Sequence, residues 1–164
     1  MADRVRADEL LVTAATRGDY ARVKEFLDHG AVAAATNHRL LTALHWTVTM
    51  GHLDVAQLLV ERGANINIRA DDGNSPLHMA AREGDPEMAS FLLEVGADPC
   101  LLNGQGQTPL EVAVIWAEEE LELAHMLRAA AQSKTQQQRL ESRAAVKAGA
   151  AAQAAAELGL GATE

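Results

Sequence analysis

Six histidines make metal binding the first chemistry to consider in this 164-residue chain. His45 and His78 lie 33 residues apart. A metal pair on a helix needs a second His or Cys three or four residues along the same face. Neither histidine has such a neighbour. We therefore predict that the chain holds no metal ion, and no motif for another cofactor is present.

The residues that could act as nucleophiles lack the context that would activate them. Cys100 is the only cysteine, so no internal disulfide bond can form, and no adjacent residue in the sequence would activate its thiol. Ser75, Ser90 and Ser133 are outside any G-x-S-x-G motif. Gly104-Gln105-Gly106 is not followed by the Lys-Ser/Thr of a phosphate loop. We predict no catalytic residue and no enzymatic activity.

The elements that carry these residues repeat along the chain. Glycines recur every 33 residues in two series: Gly18, Gly51, Gly84 and Gly30, Gly63, Gly96. Residues 37–69 align with residues 70–102 without a gap, and the alignment pairs His45 with His78. The two histidines are therefore equivalent positions of successive repeats, and a period of this length is typical of solenoid proteins.

The spacing predicts two short helices in each repeat. Ser75-Pro76 places a hydroxyl at the N-cap and proline at the first helical position, where its missing N–H costs nothing. Gly84 supplies the left-handed residue that ends this helix. Asp85-Pro86 opens a second helix, and Gly96 ends it. One such unit cannot bury its apolar face alone and must stack on its neighbours.

These features resemble the ankyrin repeat family, which has a 33-residue period and a T-P-L-H-x-A core. The third repeat matches best, with Ser75-Pro76-Leu77-His78-Met79-Ala80, and the second has Thr42-Ala43-Leu44-His45. The resemblance implies an all-α ankyrin-repeat solenoid over residues 1–128, with extended loops and β-turns between the helices. The expected repeats are approximately 5–36, 37–69, 70–102 and 103–128. It also implies that the shared histidine hydrogen-bonds the backbone of the neighbouring loop.

The two end repeats depart from the pattern. The first has Glu9 and Leu10 where Thr-Pro would stand, which is consistent with an end cap that presents a polar outer face. The fourth has Ala117 in place of the turn glycine, and Glu118-Glu119-Glu120 follows. We predict that its second helix, near 121–128, is shifted by about two residues.

Residues 129–164 form a separate segment with 13 alanines and no repeat motif. Alanine and glutamine favour helix, so we predict an exposed, partly formed helix near 135–157. A lone helix without a full apolar stripe is marginal in water. Two interpretations stay open, a mobile tail and a tail that docks on the last repeat.

The resemblance implies that a partner protein binds a concave face formed by loop tips and by the exposed edges of the first helices. The candidate loop-tip residues are His38, Arg39, Leu41, Arg69, Asp71, Asp72, Asn74, Gln105 and Gln107. The candidate helix residues are Thr49, Met50, Arg82, Glu83, Ile115 and Trp116. Acidic residues in the middle of this face favour a basic segment on the partner.

Ile115-Trp116 is the sharpest local signal in this set. A tryptophan beside a large aliphatic residue at exposed positions is typical of an interface anchor. The alternative is that the alanine-rich tail covers the pair. Trp46 is predicted to pack in the core instead. Asn67 stands where asparagine hydroxylases modify some family members, and it is also the family's ordinary loop asparagine.

Charge and hydropathy narrow the class of partner. The net charge is −9, with −10 over residues 1–128 and +1 over residues 129–164, so an acidic body disfavours nucleic acid. No stretch approaches the ~20 apolar residues of a membrane helix. The charged first nine residues lack the apolar stretch of a signal peptide. We expect a soluble monomer in the cytoplasm, with the nucleus as an alternative, that binds no nucleic acid and no membrane.

The predicted function is a non-enzymatic adaptor or scaffold that binds another protein. The alternative is an inhibitory subunit that masks an enzyme or a transcription factor. A further hypothesis is self-association through the tail. Fold alone does not name a partner.

Overall fold

The computed structural model describes residues 2–33, 36, 40–116 and 121–157. This part of the chain contains eight α-helices and no named strand, which confirms the predicted all-α class. The helices are α1 (Ala2–Thr16), α2 (Tyr20–Asp28), α3 (Ala43–Thr49), α4 (Leu53–Glu61), α5 (Pro76–Glu83), α6 (Pro86–Glu94), α7 (Pro109–Trp116) and α8 (Leu121–Glu157). The chain divides into two compact units, 1–128 and 129–164, and each is described by itself.

The first unit is a stack of helix pairs. α1 packs on α2, α3 on α4 and α5 on α6, so each repeat forms a helical hairpin. The first helices of successive repeats also pack on one another, α1 on α3, α3 on α5 and α5 on α7. This is the predicted solenoid, in which each repeat buries its apolar face against its neighbours.

The polar residues before the helices cap them as the motif predicts. The Thr42 N–H donates to Nδ1 of His45 at 3.1 Å, and the His45 N–H donates to Oγ1 of Thr42 at 3.4 Å. The side chain of Asp85 accepts from the Met88 N–H at 2.9 Å. Each bond satisfies a backbone donor that the helix itself leaves without a partner.

The first repeat differs from this scheme at its start. α1 does not begin where the later caps stand but runs through Glu9 and Leu10 from Ala2 to Thr16. Glu9, Leu10 and Thr13 are exposed, whereas the equivalent positions of the next repeats are largely buried. Over the described side chains, the outer face of α1 therefore presents the polar Glu9 and Thr13 beside Leu10, as an end cap requires.

The shift predicted in the fourth repeat is confirmed. Leu123 and Leu127 are buried, and they stand 35 residues after the buried Met88 and Leu92 rather than 33. Residues 117–120, which hold the altered turn, lie outside the described residues.

The core is one continuous cluster along the repeats. Leu11, Leu44 and Leu77 occupy equivalent positions of the first helices and are fully buried. Val23, Ala56 and Ala89 occupy equivalent positions of the second helices in repeats 1 to 3, and they are also fully buried. The repeat period therefore builds the core as two columns of aliphatic side chains.

The second unit is helical over residues 129–157, as the second part of α8. From Gln132 to Val146 nearly every described side chain is exposed, including the apolar Leu140 and Val146. The sequence thus forms a helix that is polar and alanine-rich, without a buried face over these residues.

Candidate partner-binding surface

A cleft of about 130 Å³ lies between the second and third repeats. It is lined by Leu41, His45, Trp46, Thr49, Asp71, Asp72, Met79 and Arg82. Five of the predicted candidates are among these residues, so the structure brings together side chains from two loops and two helices. The Thr49 hydroxyl lies 3.5 Å from Sδ of Met79 and joins α3 to α5 beside the cleft.

The charges at the mouth of this cleft are unequal. Asp71 and Asp72 are exposed. The Arg82 guanidinium donates two hydrogen bonds to Oε1 of Glu83, at 2.8 and 3.0 Å, so these two side-chain charges largely cancel. The two aspartates thus place carboxylates at the mouth of the cleft, and carboxylates attract a positively charged group.

Arg69, one of the predicted candidates, connects neighbouring loops through hydrogen bonds. Arg69 donates through Nη2 to the Leu102 carbonyl at 2.6 Å and through Nε to the Gly73 carbonyl at 3.2 Å. Its planar guanidinium thus joins successive loop tips, a geometry that a lysine cannot reproduce. Arg69 is therefore a structural residue of this surface in addition to being exposed on it.

Asn103 is the centre of a second loop network, and the sequence analysis did not single it out. It is buried, and its Nδ2 donates to Oδ1 of Asn74 at 3.0 Å and to Oε1 of Gln107 at 3.2 Å. Its Oδ1 accepts from the backbone N–H groups of Gln105 and Gln107. Asn74, Gln105 and Gln107, which are predicted candidates, thus form hydrogen bonds that hold the loop tips in place.

The loop tips of repeats 3 and 4 also touch through their backbones. The Gly104 N–H donates to the Asp72 carbonyl at 2.9 Å. A Cβ added to Gly73 would collide with the backbone nitrogen of Gly104. Gly73 also has a φ of +77°, where L-residues are disfavoured. The rigid row of loop tips depends on this close approach.

The two repeat histidines behave as the family pattern implies, with one difference. Nε2 of His78 lies 3.0 Å from the Gln107 carbonyl in the next loop. For His45, no described residue completes a hydrogen bond to Nε2. Burial lowers the pKa of both rings, although the carbonyls of Asn74 and Ile68 oppose this at His45. The cross-repeat bond is confirmed for His78.

The remaining candidates are distributed along the stack. Met50, Glu83 and Gln105 are exposed. Ile115 and Trp116 are 53% and 64% exposed at the end of α7. His38 and Arg39 lie outside the described residues.

Three residues of this surface were missed by the sequence analysis. Trp46 was assigned to the core, but it is half-buried and lines the cleft, as does Met79. Val114 was not singled out, and it is 63% exposed. The sequence does contain an indication that Val114 is exposed. Residues 129–164 have no repeat motif, and in a repeat stack the following repeat is what covers this position.

Other kinds of site find no support in the described part of the chain. No group of three or more His, Cys, Asp or Glu residues there could hold a metal ion. Cys100 is exposed, and its N–H donates to Oδ1 of Asp98. Over the same residues, no helix is both long and apolar enough to cross a membrane.

Stacked helical hairpins with glycine-closed turns and a row of hydrogen-bonded loop tips define a solenoid repeat protein. The family model described as ankyrin repeats (many copies) matches residues 11–60 and 44–93, which together span half of the chain. The chain belongs to the ankyrin repeat family.

Curated relatives share this segment. An ankyrin repeat-containing protein of Schizosaccharomyces pombe is 39% identical over 69 residues, covering 42% of this chain and 33% of that protein. Human protein phosphatase 1 regulatory subunit 27 is 39% identical over 74 residues, 44% of this chain and 48% of that protein. The palmitoyltransferase AKR1 of Saccharomyces cerevisiae is 39% identical over 75 residues, 42% of this chain and 10% of the enzyme.

The chain thus covers less than half of each of these relatives. Ankyrin repeats are protein–protein interaction modules, and this is the coarse function that family membership gives the chain. The family is generally non-enzymatic, and the match to the palmitoyltransferase is confined to a tenth of that protein.

Proposed function

We propose that this chain is a small adaptor that binds one partner protein through the loop tips and first helices of repeats 2 to 4. The observation that carries the proposal is the cleft between repeats 2 and 3. It combines an aromatic side chain, Trp46, and a thioether, Met79, with the exposed carboxylates of Asp71 and Asp72. Such a mixture of an apolar floor and a charged rim is typical of a small anchor pocket in a protein interface.

The charge at the rim favours a basic segment on the partner. Asp71 and Asp72 are exposed and place two carboxylates at the mouth of the cleft, beside the ion pair of Arg82 with Glu83. A lysine or arginine of the partner could lay its aliphatic stem on Trp46 and Met79 and place its charge near Asp71. Exposed charges of this kind raise the association rate and the specificity more than the affinity.

The rigidity of the loop tips supports the same function. Arg69 and Asn103 hold the loops of repeats 3 and 4 through hydrogen bonds, and the Gly104 N–H adds a backbone bond to Asp72. A surface whose shape is fixed before binding loses less conformational entropy when the partner binds.

A second candidate function is a regulatory subunit that masks an enzyme. It is supported by the similarity to the human protein named protein phosphatase 1 regulatory subunit 27. The same surface would serve both functions, and inhibition of a recovered enzyme by the chain would distinguish them. We also propose that the chain itself is not an enzyme, and that it acts in the cytoplasm, where its single free cysteine would stay reduced.

The test is affinity capture from a cell lysate with a matched pair of charge reversals. Asp71→Arg changes the rim of the cleft. Asp54→Arg is the control, because Asp54 is also an exposed aspartate that accepts a hydrogen bond from the next backbone N–H, but on α4. We expect partners recovered by the wild type to be lost with Asp71→Arg and retained with Asp54→Arg. Equal recovery by both variants would contradict the proposed site.

A further inference from the structure

One face of the fourth repeat is exposed although the equivalent faces of the second and third repeats are covered. Val48, Ala81 and Val114 are equivalent positions on α3, α5 and α7. Val48 and Ala81 are 0% exposed, whereas Val114 is 63% exposed. α5 packs on α3 and α7 packs on α5. Val114 thus belongs to a helix-packing surface on which, in the described part of the first unit, no further repeat is stacked.

A groove of about 430 Å³ occupies this surface, which we term the end groove. It is lined by Gln107, Leu110, Glu111, Val114, Ile115 and Arg128. Its floor is aliphatic, and a contiguous aliphatic surface of this kind is typical of a site that another chain covers.

Glu111 gives the end groove a negative edge where the inner repeats carry histidine. The Thr108 N–H and hydroxyl donate to Oε2 of Glu111 at 2.7 and 2.9 Å, and these bonds lower the pKa of that carboxyl. Arg128 also lines the groove, so the negative charge is local to the part of α7 that carries Glu111. A helix that fills the groove therefore needs small apolar side chains, with a positive group where it meets Glu111.

Among the described side chains, those at the amino-terminal end of the stack meet this need less well. The outer face there presents Glu9 and Thr13 beside Leu10, and none of these three is positively charged. Head-to-tail stacking of copies would bring Glu9 toward Glu111 of another copy, which is unfavourable.

The second unit does meet the need. Residues 129–148 contain six alanines and four Lys/Arg residues against one glutamate. Because residues four apart share a helix face, Leu140, Ala144 and Ala148 form an apolar stripe in α8. Arg139 and Arg143 stand beside that stripe, and Leu140 and Arg143 are exposed. This helix thus combines the small apolar surface and the charge that complement the end groove.

We propose that the helix of residues 129–148 from a second copy of this chain docks in the end groove. Leu140 and Ala144 cover Val114 and Leu110, and the arginine stripe lies toward Glu111. Each copy has one groove and one such helix, so reciprocal docking closes a two-fold dimer rather than a filament. The proposal replaces the expectation of a monomer, and it is separate from partner binding at the cleft.

The first test is the mass of the full chain by light scattering over a concentration series. We expect a rise from 17.5 kDa toward twice that value with concentration, and a weaker dimer as salt increases. Val114→Glu places a charge in the groove and should prevent docking there. Arg139→Glu with Arg143→Glu reverses the charge of the helix and should prevent it from docking. Because these side chains are exposed in the single chain, the variants should fold, and circular dichroism checks this. Each should raise the dimer Kd about tenfold or more.

Two further variants test whether the charge of Glu111 matters and whether the location of the charge reversals matters. Glu111→Gln keeps an oxygen that accepts from Thr108 but removes the charge, so it should weaken the dimer. Arg17→Glu with Lys24→Glu makes the same charge change on exposed residues of the first repeat, and it should leave the dimer intact.

Mixing Val114→Glu with the double arginine variant tests whether the helix in the groove comes from a second copy or from the same chain. Val114→Glu retains its helix, and the double arginine variant retains its groove. The mixture should therefore form a heterodimer through one intact contact, although each variant alone is monomeric. A wild type that stays at 17.5 kDa at every concentration, whether its groove is empty or filled by its own helix, would overturn the proposal. A dimer that neither variant weakens, or a mixture that stays monomeric, would also overturn it.

Discussion

Nε2 of His78, in the third repeat, lies 3.0 Å from the carbonyl oxygen of Gln107, in the loop of the fourth. At the other side of the ring, Nδ1 accepts from the Ser75 N–H at 3.2 Å. A ring that accepts at Nδ1 and donates at Nε2 is neutral, and protonation would turn Nδ1 into a donor. The bond from the Ser75 N–H to Nδ1 therefore requires the uncharged ring, whereas the Nε2 bond to Gln107 does not.

Acidification should therefore destabilise the first unit. Burial lowers the pKa of both His45 and His78 below 6.5. Below pH 6.5 the unfolded chain binds protons that the folded chain does not, so the free energy of unfolding falls until the folded-state pKa is reached. Each histidine contributes a slope of at most about 1.4 kcal/mol per pH unit. Urea denaturation at pH 7.5 and at pH 5.5 measures the difference.

The variant His78→Gln measures how much of the acid-induced loss of stability is due to His78. A glutamine at this position can still accept from the Ser75 N–H, but the cross-repeat bond is lost, which should cost about 1 kcal/mol at pH 7.5. The loss of stability between pH 7.5 and 5.5 should be smaller than in the wild type. His125→Gln is the control, since His125 is exposed on α8. An unchanged pH dependence in His78→Gln would show that His78 does not contribute, and that His45 or the carboxylates cause the acid sensitivity.

The regular part of this fold was predictable because its signals are local. In the second and third repeats, a hydroxyl residue, a leucine, a histidine and a glycine at fixed offsets specify a cap, a core position, a buried imidazole and a turn. The start of α1 was not predictable in this way, because Glu9 and Leu10 stand where the cap would be and the helix simply continues. The two-residue shift of α8 could be read from the spacing of its leucines.

The candidate surface was less predictable because its residues have two roles. Arg69 and Asn74 stand at loop tips, as expected, but their polar atoms hold neighbouring loops. These contacts join residues about 30 positions apart, and no local pattern indicates them. The exposure of Val114 likewise depends on whether another helix packs on the last repeat, which the residue type does not encode.

Gly73 and Gly106 form a natural pair for measuring the contact between loop tips. Both have nearly the same positive φ, +77° and +76°, so alanine has a similar conformational cost at either position. An added Cβ at Gly73 would also meet the backbone of Gly104, whereas at Gly106 no atom lies within 4 Å. We expect Gly106→Ala to cost about 1 kcal/mol and Gly73→Ala about 2 kcal/mol more. Chemical denaturation compares them, and equal losses would mean that the loops separate easily.

Arg69→Lys tests the bridge between successive loops. A lysine keeps the charge but cannot donate to the carbonyls of Leu102 and Gly73 in the fixed geometry of a guanidinium. We expect a loss of about 1 kcal/mol, because the bonds are exposed to solvent. Arg62→Lys is the matched control, since Arg62 makes a surface ion pair with Asp28 at 2.7 Å and should change stability by less than about 0.5 kcal/mol. Thermal unfolding of both variants gives the comparison, and identical midpoints would exclude a structural role for Arg69.

Leu77 and Leu110 occupy the same position in the third and fourth repeats, and the motif alone assigns both to the core. The structure distinguishes them, because Leu77 is 0% exposed whereas Leu110 is only partly buried at the edge of the end groove. Leu77→Ala should cost about 3 kcal/mol or more, since it opens a cavity between repeats that cannot collapse. Leu110→Ala should cost about half as much at a concentration where the chain is monomeric, because water already reaches that side chain. Urea denaturation of the two variants, run at low and at high protein concentration, gives both values. A cost for Leu110→Ala that rises with concentration would show that a second molecule covers the end groove, whereas equal costs at the two positions would mean that the end of the stack is already closed within one chain.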